Sequence, residues 1–412
     1  MRLLARLLLL AVVLVLLAAS GVVAYDKWAG RPTDAHGVGE DPVAGTDSPT
    51  PPGGRLSVLP PVAQPGNSPA RADRTGLVVS ARFTEPQQGG VVLLERRSGA
   101  TWKVVASAEQ DRSGVAMFAD VRSPGKGKGT DYRATALGEA GDPEARTNVV
   151  NSSAWRLVFG DQFDGDALDM SKWMYRQVGL YNESGMRECS MSDESAVSVS
   201  GGTLKLQVQE DPAKIGVPCY TEDYGTLEYY LNGHIATEGI FNFTHGVAAA
   251  RVKFPQGRGQ HGAFWLQRSG VTVVPGEPKS SGAEIDIVEY FGEGFKGGGL
   301  ASFLYYLNAG NENEKVGGVW PKATRQLPPG DAWWRSYHVF SVEWTPKQYV
   351  FRVDGRETFR TKEGVSGVPQ FLVLSLLSSD WELPKLDRST LPTTMETDWV
   401  RVWQRDKGRK GS

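Results

Sequence analysis

Gly282-Ala283-Glu284-Ile285-Asp286-Ile287-Val288-Glu289-Tyr290 is the stretch on which the reading of this chain turns. Side chains of a regular strand alternate between its faces, so Glu284, Asp286 and Val288 share one face and Glu289 points to the other. One extra residue, inserted as a β-bulge near Ile287 and Val288, returns Glu289 to the face of Glu284 and Asp286. The three carboxylates then line one face while Ile285 and Ile287 pack inward. Such a face costs stability, because like charges repel. It suits the cleavage of a glycosidic bond, in which one carboxyl stays protonated as acid while the other is ionised as nucleophile. The Cα atoms of Glu284 and Glu289 are about 13 Å apart along a bulged strand. Their long side chains can still converge toward the roughly 5 to 5.5 Å of a retaining enzyme. On this reading Glu284 is the nucleophile, Glu289 the general acid/base and Asp286 the group that orients and tunes the pair. The competing reading is a solvated strand face that keeps the chain soluble, and the acid spacing taken alone does not exclude it.

Working outward, 412 residues exceed what one typical core accommodates, which predicts two folded units and connecting segments. A net charge of −2 provides no basic footprint, so nucleic acid is not an expected partner. The 12 tryptophans fit both sandwich cores and sugar-stacking surfaces. Met1, Arg2 and Arg6 precede an apolar run from Leu7 to Ala19, the order of an export signal over residues 1–24. Cleavage near Ala24 makes the chain secreted or extracellular, whereas an uncleaved leader, almost long enough to span a bilayer, would be its one membrane contact.

Residues 25–76 are rich in Pro, Gly, Ser and Asp and are expected to form a disordered linker. Short alternating runs over residues 77–150 predict a small immunoglobulin-like or fibronectin-like β-sandwich without a catalytic cluster. Residues 151–405 read as strands with no long amphipathic helix, and residues 406–412 as a basic tail. About 250 residues of strand imply two large stacked sheets, curved enough to leave a groove for several sugar rings. Cys189 and Cys219 are the only cysteines, and an oxidising compartment favours their pairing, with two free thiols as the alternative.

The carboxylate segment and its neighbours resemble glycoside hydrolase family 16 of the laminarinase-like type, with its Glu-x-Asp-x-x-Glu motif. The resemblance runs from Trp155 to Gln404, through Phe159-Gly160-Asp161-Gln162-Phe163-Asp164-Gly165, Gly233-His234-Ile235-Ala236-Thr237 and Ala263-Phe264-Trp265-Leu266. It continues in Val339-Phe340-Ser341-Val342-Glu343-Trp344-Thr345-Pro346, Val353-Asp354-Gly355 and Asp398-Trp399-Val400-Arg401-Val402-Trp403. It implies an all-β, concanavalin-like jelly roll with an open cleft and endo-acting hydrolysis of a β-linked polysaccharide, a β-1,3-glucan foremost. No cofactor is required, a structural calcium is allowed, and a monomer is expected.

Departures from the family pattern bear on substrate. Ser280-Ser281 stands where an aromatic is usual, and Met186-Arg187-Glu188-Cys189 replaces an asparagine-rich stretch. Leu374 to Glu382 replaces a glycine-rich stretch, and a histidine expected downstream of the acid/base is missing, with Tyr305 or Tyr306 in its neighbourhood. Glu188, Arg251, His261, Trp265 and Trp381 are the candidate substrate-binding residues. Arg251 serves equally well in a structural salt bridge, Trp265 in core packing and His261 as a structural hydrogen-bonding group. A transglycosylase remodelling wall or capsule glycan, or a non-catalytic glycan-binding protein, are the alternatives on the same scaffold.

Overall fold

The computed structural model describes residues 22–24, 52–70, 76–112, 114–120, 129–179, 186–320, 327 and 329–405. The leader up to residue 21, linker residues 25–51 and the basic tail 406–412 lie outside them. Among the described residues, no helix is long and apolar enough to cross a membrane.

The chain divides into two compact units, one of residues 1–63, 71–156 and 405–412, the other of residues 64–70 and 157–404. In the smaller unit, strands Gly76–Phe83, Val91–Ser98, Thr101–Glu109, Val115–Asp120 and Asp131–Leu137 lie where the alternating runs place them. A further strand, Pro52–Ala63, falls inside the segment expected to be linker and pairs antiparallel with Gly76–Phe83. That expectation is corrected here: Leu56, Val58, Leu59 and Val62 are buried, an apolar set that the surrounding Pro and Gly obscured. Pro60 and Pro61 sit where the register breaks between Leu59 and Ala63, so their missing N–H groups leave no ladder bond unmade.

The next residues, Gln64–Ala70, are not linker either: they form a strap on the larger unit. Gly66 bridges Tyr337, and the Gln64 side chain accepts from the Trp399 indole at 2.7 Å. The boundary expected at residue 151 falls a few residues later, at 157.

The larger unit is a sandwich of antiparallel strands: β1 (Thr203–Glu210), β2 (Tyr230–Ala236), β3 (Gly246–Lys253), β4 (His261–Arg268), β5 (Glu284–Tyr290), β6 (Leu300–Leu307) and β7 (Asn313–Val319). There follow β8 (His338–Thr345), β9 (Gln348–Val353), β10 (Arg356–Thr361), β11 (Gln370–Leu377) and β12 (Thr393–Arg405). The front sheet runs in the order β7-β6-β5-β4-β11-β2, and β2 passes by way of β1 into the back sheet β12-β3-β8-β9-β10.

Period-two patterning explains the layering. Phe264, Leu266, Ile285, Leu372, Leu374 and Leu376 point from the front sheet into a core completed by Ala248, Ala250, Phe340, Val342, Val400 and Val402 of the back sheet. Leu204, Leu206 and Val208 alternate with more exposed partners on β1. On β12, in contrast, both faces are buried. The strap covers Trp399, and Arg401 stacks on that ring and donates to Gln162. The architecture is a concanavalin-like β-jelly roll whose front sheet carries the three carboxylates.

Candidate active site

The kink required of the carboxylate strand is present. Against β4, Trp265 faces Asp286 and Phe264 faces Val288, so Ile287 has no partner of its own. Against β6, Asp286 faces Phe303 and Glu289 faces Ala301, leaving Ile287 and Val288 opposite Ser302 alone. The bulge takes the Ile287 carbonyl out of the ladder, and the Ser302 hydroxyl donates to it at 2.9 Å. Both bulged side chains enter the core. Glu284, Asp286 and Glu289 thus share a face, with Asp286 buried and the two glutamates half-buried.

Burial and mutual repulsion then act together. Burial, followed by the charge of Glu289, raises the pKa of Glu284, which Arg176 and Arg268 oppose. Asp286 is pushed well above the usual carboxylate range by burial and then by Glu289 and Glu284. Its Oδ2 is buried without a hydrogen-bond partner, a costly position for an ionised oxygen and a tolerable one for a protonated carboxyl. Burial also raises Glu289, against the charges of His261, Lys315 and Arg187. Burial and repulsion thus favour the protonated form within the cluster, the direction that general acid chemistry needs.

Further groups complete the face. Tyr305 lies directly opposite Glu284, and its hydroxyl is held protonated by burial and by the three carboxylates. Lys315 faces Tyr305 from β7 and sits 3.9 Å from the centre of the Phe303 ring. Pairing register alone would have found both, given the hairpins after Tyr290. Arg187 is the member of its segment whose charge reaches Glu289. On the other flank Arg176 lies 5.4 Å from the Trp265 ring and bonds to Gln267.

Of the predicted binding residues, Trp265 shares the carboxylate face, donates to Ser375 at 3.1 Å and stacks on His234. His261 is buried and lies 2.7 Å from Glu382. Trp381, 40% exposed, borders the same region with its ring 6.2 Å from that of Phe291, as a stacking surface should. Glu188 is joined to this rim by its backbone N–H, which donates to Asp380, while its side chain is exposed. Cys189 and Cys219 form a disulfide.

Arg251 is a correction. It lies on β3 of the back sheet, where its guanidinium pairs with Asp398 at 2.6 Å and donates to the carbonyls of Gln64, Gly66 and Ser68. Its donors are directed at the strap, so it is a structural cation and not a sugar ligand. No group of three or more His, Cys, Asp or Glu among the described residues is arranged to hold a metal ion, so the allowed calcium has no side-chain cage there.

A jelly roll with a bulged strand of clustered carboxylates defines the class, and comparison gives the family. The family model for glycosyl hydrolases family 16 matches residues 185–401, more than half of the chain, and the chain belongs to that family. It is 24% identical over 267 residues to glucan endo-1,3-beta-glucosidase A1 of Niallia circulans, covering 60% of this chain and 38% of that protein. It is 24% identical over 282 residues to keratan-sulfate endo-1,4-beta-galactosidase of Sphingobacterium multivorum, covering 65% of this chain and 60% of that one. The chain therefore spans less than two thirds of either curated relative. The endo-beta-1,3-glucanase structure from Pyrococcus furiosus is similar with a TM-score of 0.48 at 22% identity, over 63% of this chain and 98% of that one.

Proposed function

We propose that this protein is an exported, retaining, endo-acting glycoside hydrolase that cleaves a β-linked polysaccharide, with a β-1,3-glucan as its substrate. The observation that carries the reading is the bulge at Ile287 and Val288, which gathers Glu284, Asp286 and Glu289 on one face of the front sheet. The glucan assignment takes its support from the name of the Niallia relative and from the exposed ring of Trp381 next to Phe291, which packs on His261.

In the first step the Glu284 carboxylate attacks the anomeric carbon while Glu289 gives its proton to the departing glycosidic oxygen. The product is a glycosyl ester on Glu284 and a sugar with a free hydroxyl. In the second step Glu289, now a carboxylate, takes a proton from water as the water oxygen attacks the same carbon. This breaks the ester and restores both groups. Asp286, whose protonated form is favoured by burial and then by Glu289 and Glu284, limits the negative charge that Glu284 must bear beside Glu289. The apolar leader supports export, with a surface anchor if it stays uncleaved.

The test is chromatography of products after incubation with laminarin, mixed-linkage glucan and galactans. Internal cleavage of laminarin is expected, and galactan cleavage alone would reassign the substrate. Glu284→Gln should lower kcat by roughly 10³-fold or more with binding retained. Normal turnover in that variant removes Glu284 from the nucleophile role.

A further inference from the structure

We propose that His261, hydrogen-bonded to Glu382, is a positioning residue that fixes the Glu289 carboxyl and balances the charge left on it when its proton departs. The proposal rests on the reading of Glu289 as acid/base. His261 opens β4, and Ala263, two residues on, pairs directly with Glu289. Residues two apart on a strand share a face, so imidazole and carboxyl stand on the same side, diagonal to one another across the strand pair. At that diagonal spacing, long side chains reach one another.

Nδ1 of His261 is 2.7 Å from Glu382 Oε2, which also accepts the Ser379 N–H at 2.9 Å. Exposures of 8% for His261 and 4% for Glu382 leave the pair almost without solvent, and the Phe291 ring packs 5.5 Å from the imidazole. Burial alone would drive the imidazole neutral, but Glu382 reverses this and Glu289 adds to the effect, against the opposing charge of Arg187. His234, the other imidazole near it, is driven neutral by burial and then by Arg176 and Arg187, and so does not share the role. During the reaction His261 keeps both ring protons. The proton that leaves Glu289 goes to the glycosidic oxygen, and the one that returns comes from water.

Imidazole resonances of the full chain, followed by NMR from pH 5 to 9 and assigned with His261→Asn, provide the first test. His261 should titrate above the usual value of about 6.5. Glu289→Gln should lower that midpoint by about 1 pH unit, since a close negative neighbour is lost. A midpoint at or below the usual value, or one indifferent to Glu289→Gln, overturns the proposal. The second test is the pH profile of kcat/KM on laminarin, where His261→Asn should move the basic limb upward by about 1 pH unit, because Glu289 then holds its proton more tightly. A lower rate with an unmoved limb marks a merely structural histidine and overturns the proposal. Azide rescue of Glu289→Ala on an aryl β-laminaribioside separates the two readings. No rescue removes Glu289 from the acid/base role and the dyad's purpose with it, whereas rescue with an unmoved limb removes the dyad alone.

Discussion

Asp286 shows most directly what the carboxylate face costs. Its folded pKa is raised, so the native state binds the proton more tightly than the unfolded chain does. Stability is therefore fully present below the unfolded value of about 3.9 and declines as pH rises toward the folded value. Asp286→Asn removes the titration at nearly constant shape. Its Tm should exceed that of the unsubstituted protein at pH 7 by about 3 °C or more, with the difference closing below about pH 4, while activity falls. Calorimetry across that range decides it, and an equal difference at both ends would show that the carboxyl is not protonated by its surroundings. The shared face of the three acids was legible because their spacing is odd for a strand and only a bulge reconciles it. The unpaired Oδ2 of Asp286 was not legible, since it depends on what lies beyond the strand.

At the scale of elements, the bulge works because a second strand accepts its consequence. Ser302 supplies the hydroxyl that the displaced Ile287 carbonyl requires. Ser302→Ala leaves that carbonyl unsatisfied and should destabilise the larger unit by about 1–3 kcal/mol. It should also lower kcat more than it raises KM, because the glutamates lose their alignment. Denaturant unfolding and steady-state kinetics check the two effects, and an unchanged kcat would mean that the kink persists without Ser302. Periodicity predicted strands and faces well wherever one face is apolar, as on β1. It could not foresee that His261 would be met by Glu382, which comes from a part of the chain 121 residues further on.

For the whole molecule, the strap is the feature that composition hid. Pro and Gly made residues 25–76 read as linker, yet Gln64–Ala70 caps the buried Arg251–Asp398 pair on the back sheet. Arg251→Ala leaves Asp398 buried and unpaired and should cost about 3–5 kcal/mol. The KM of the protein that remains folded should be unchanged, because the pair lies on the sheet opposite the carboxylates. A raised KM with normal stability would return Arg251 to the substrate. The misreading of Arg251 has the same origin: a cation on an alternating strand looks available until the segment that claims it is known to be ordered.

Residues 64–70 leave the ribosome well before Arg251, Tyr337 and Asp398, the groups they fasten to. During synthesis the strap meets these groups in turn, and its bonds to Trp399 and Asp398 of β12 form last. The back sheet is thus sealed late, by a segment made before the strands it seals, and a product truncated before Asp398 lacks the carboxylate that pairs with Arg251 and accepts from Ala70.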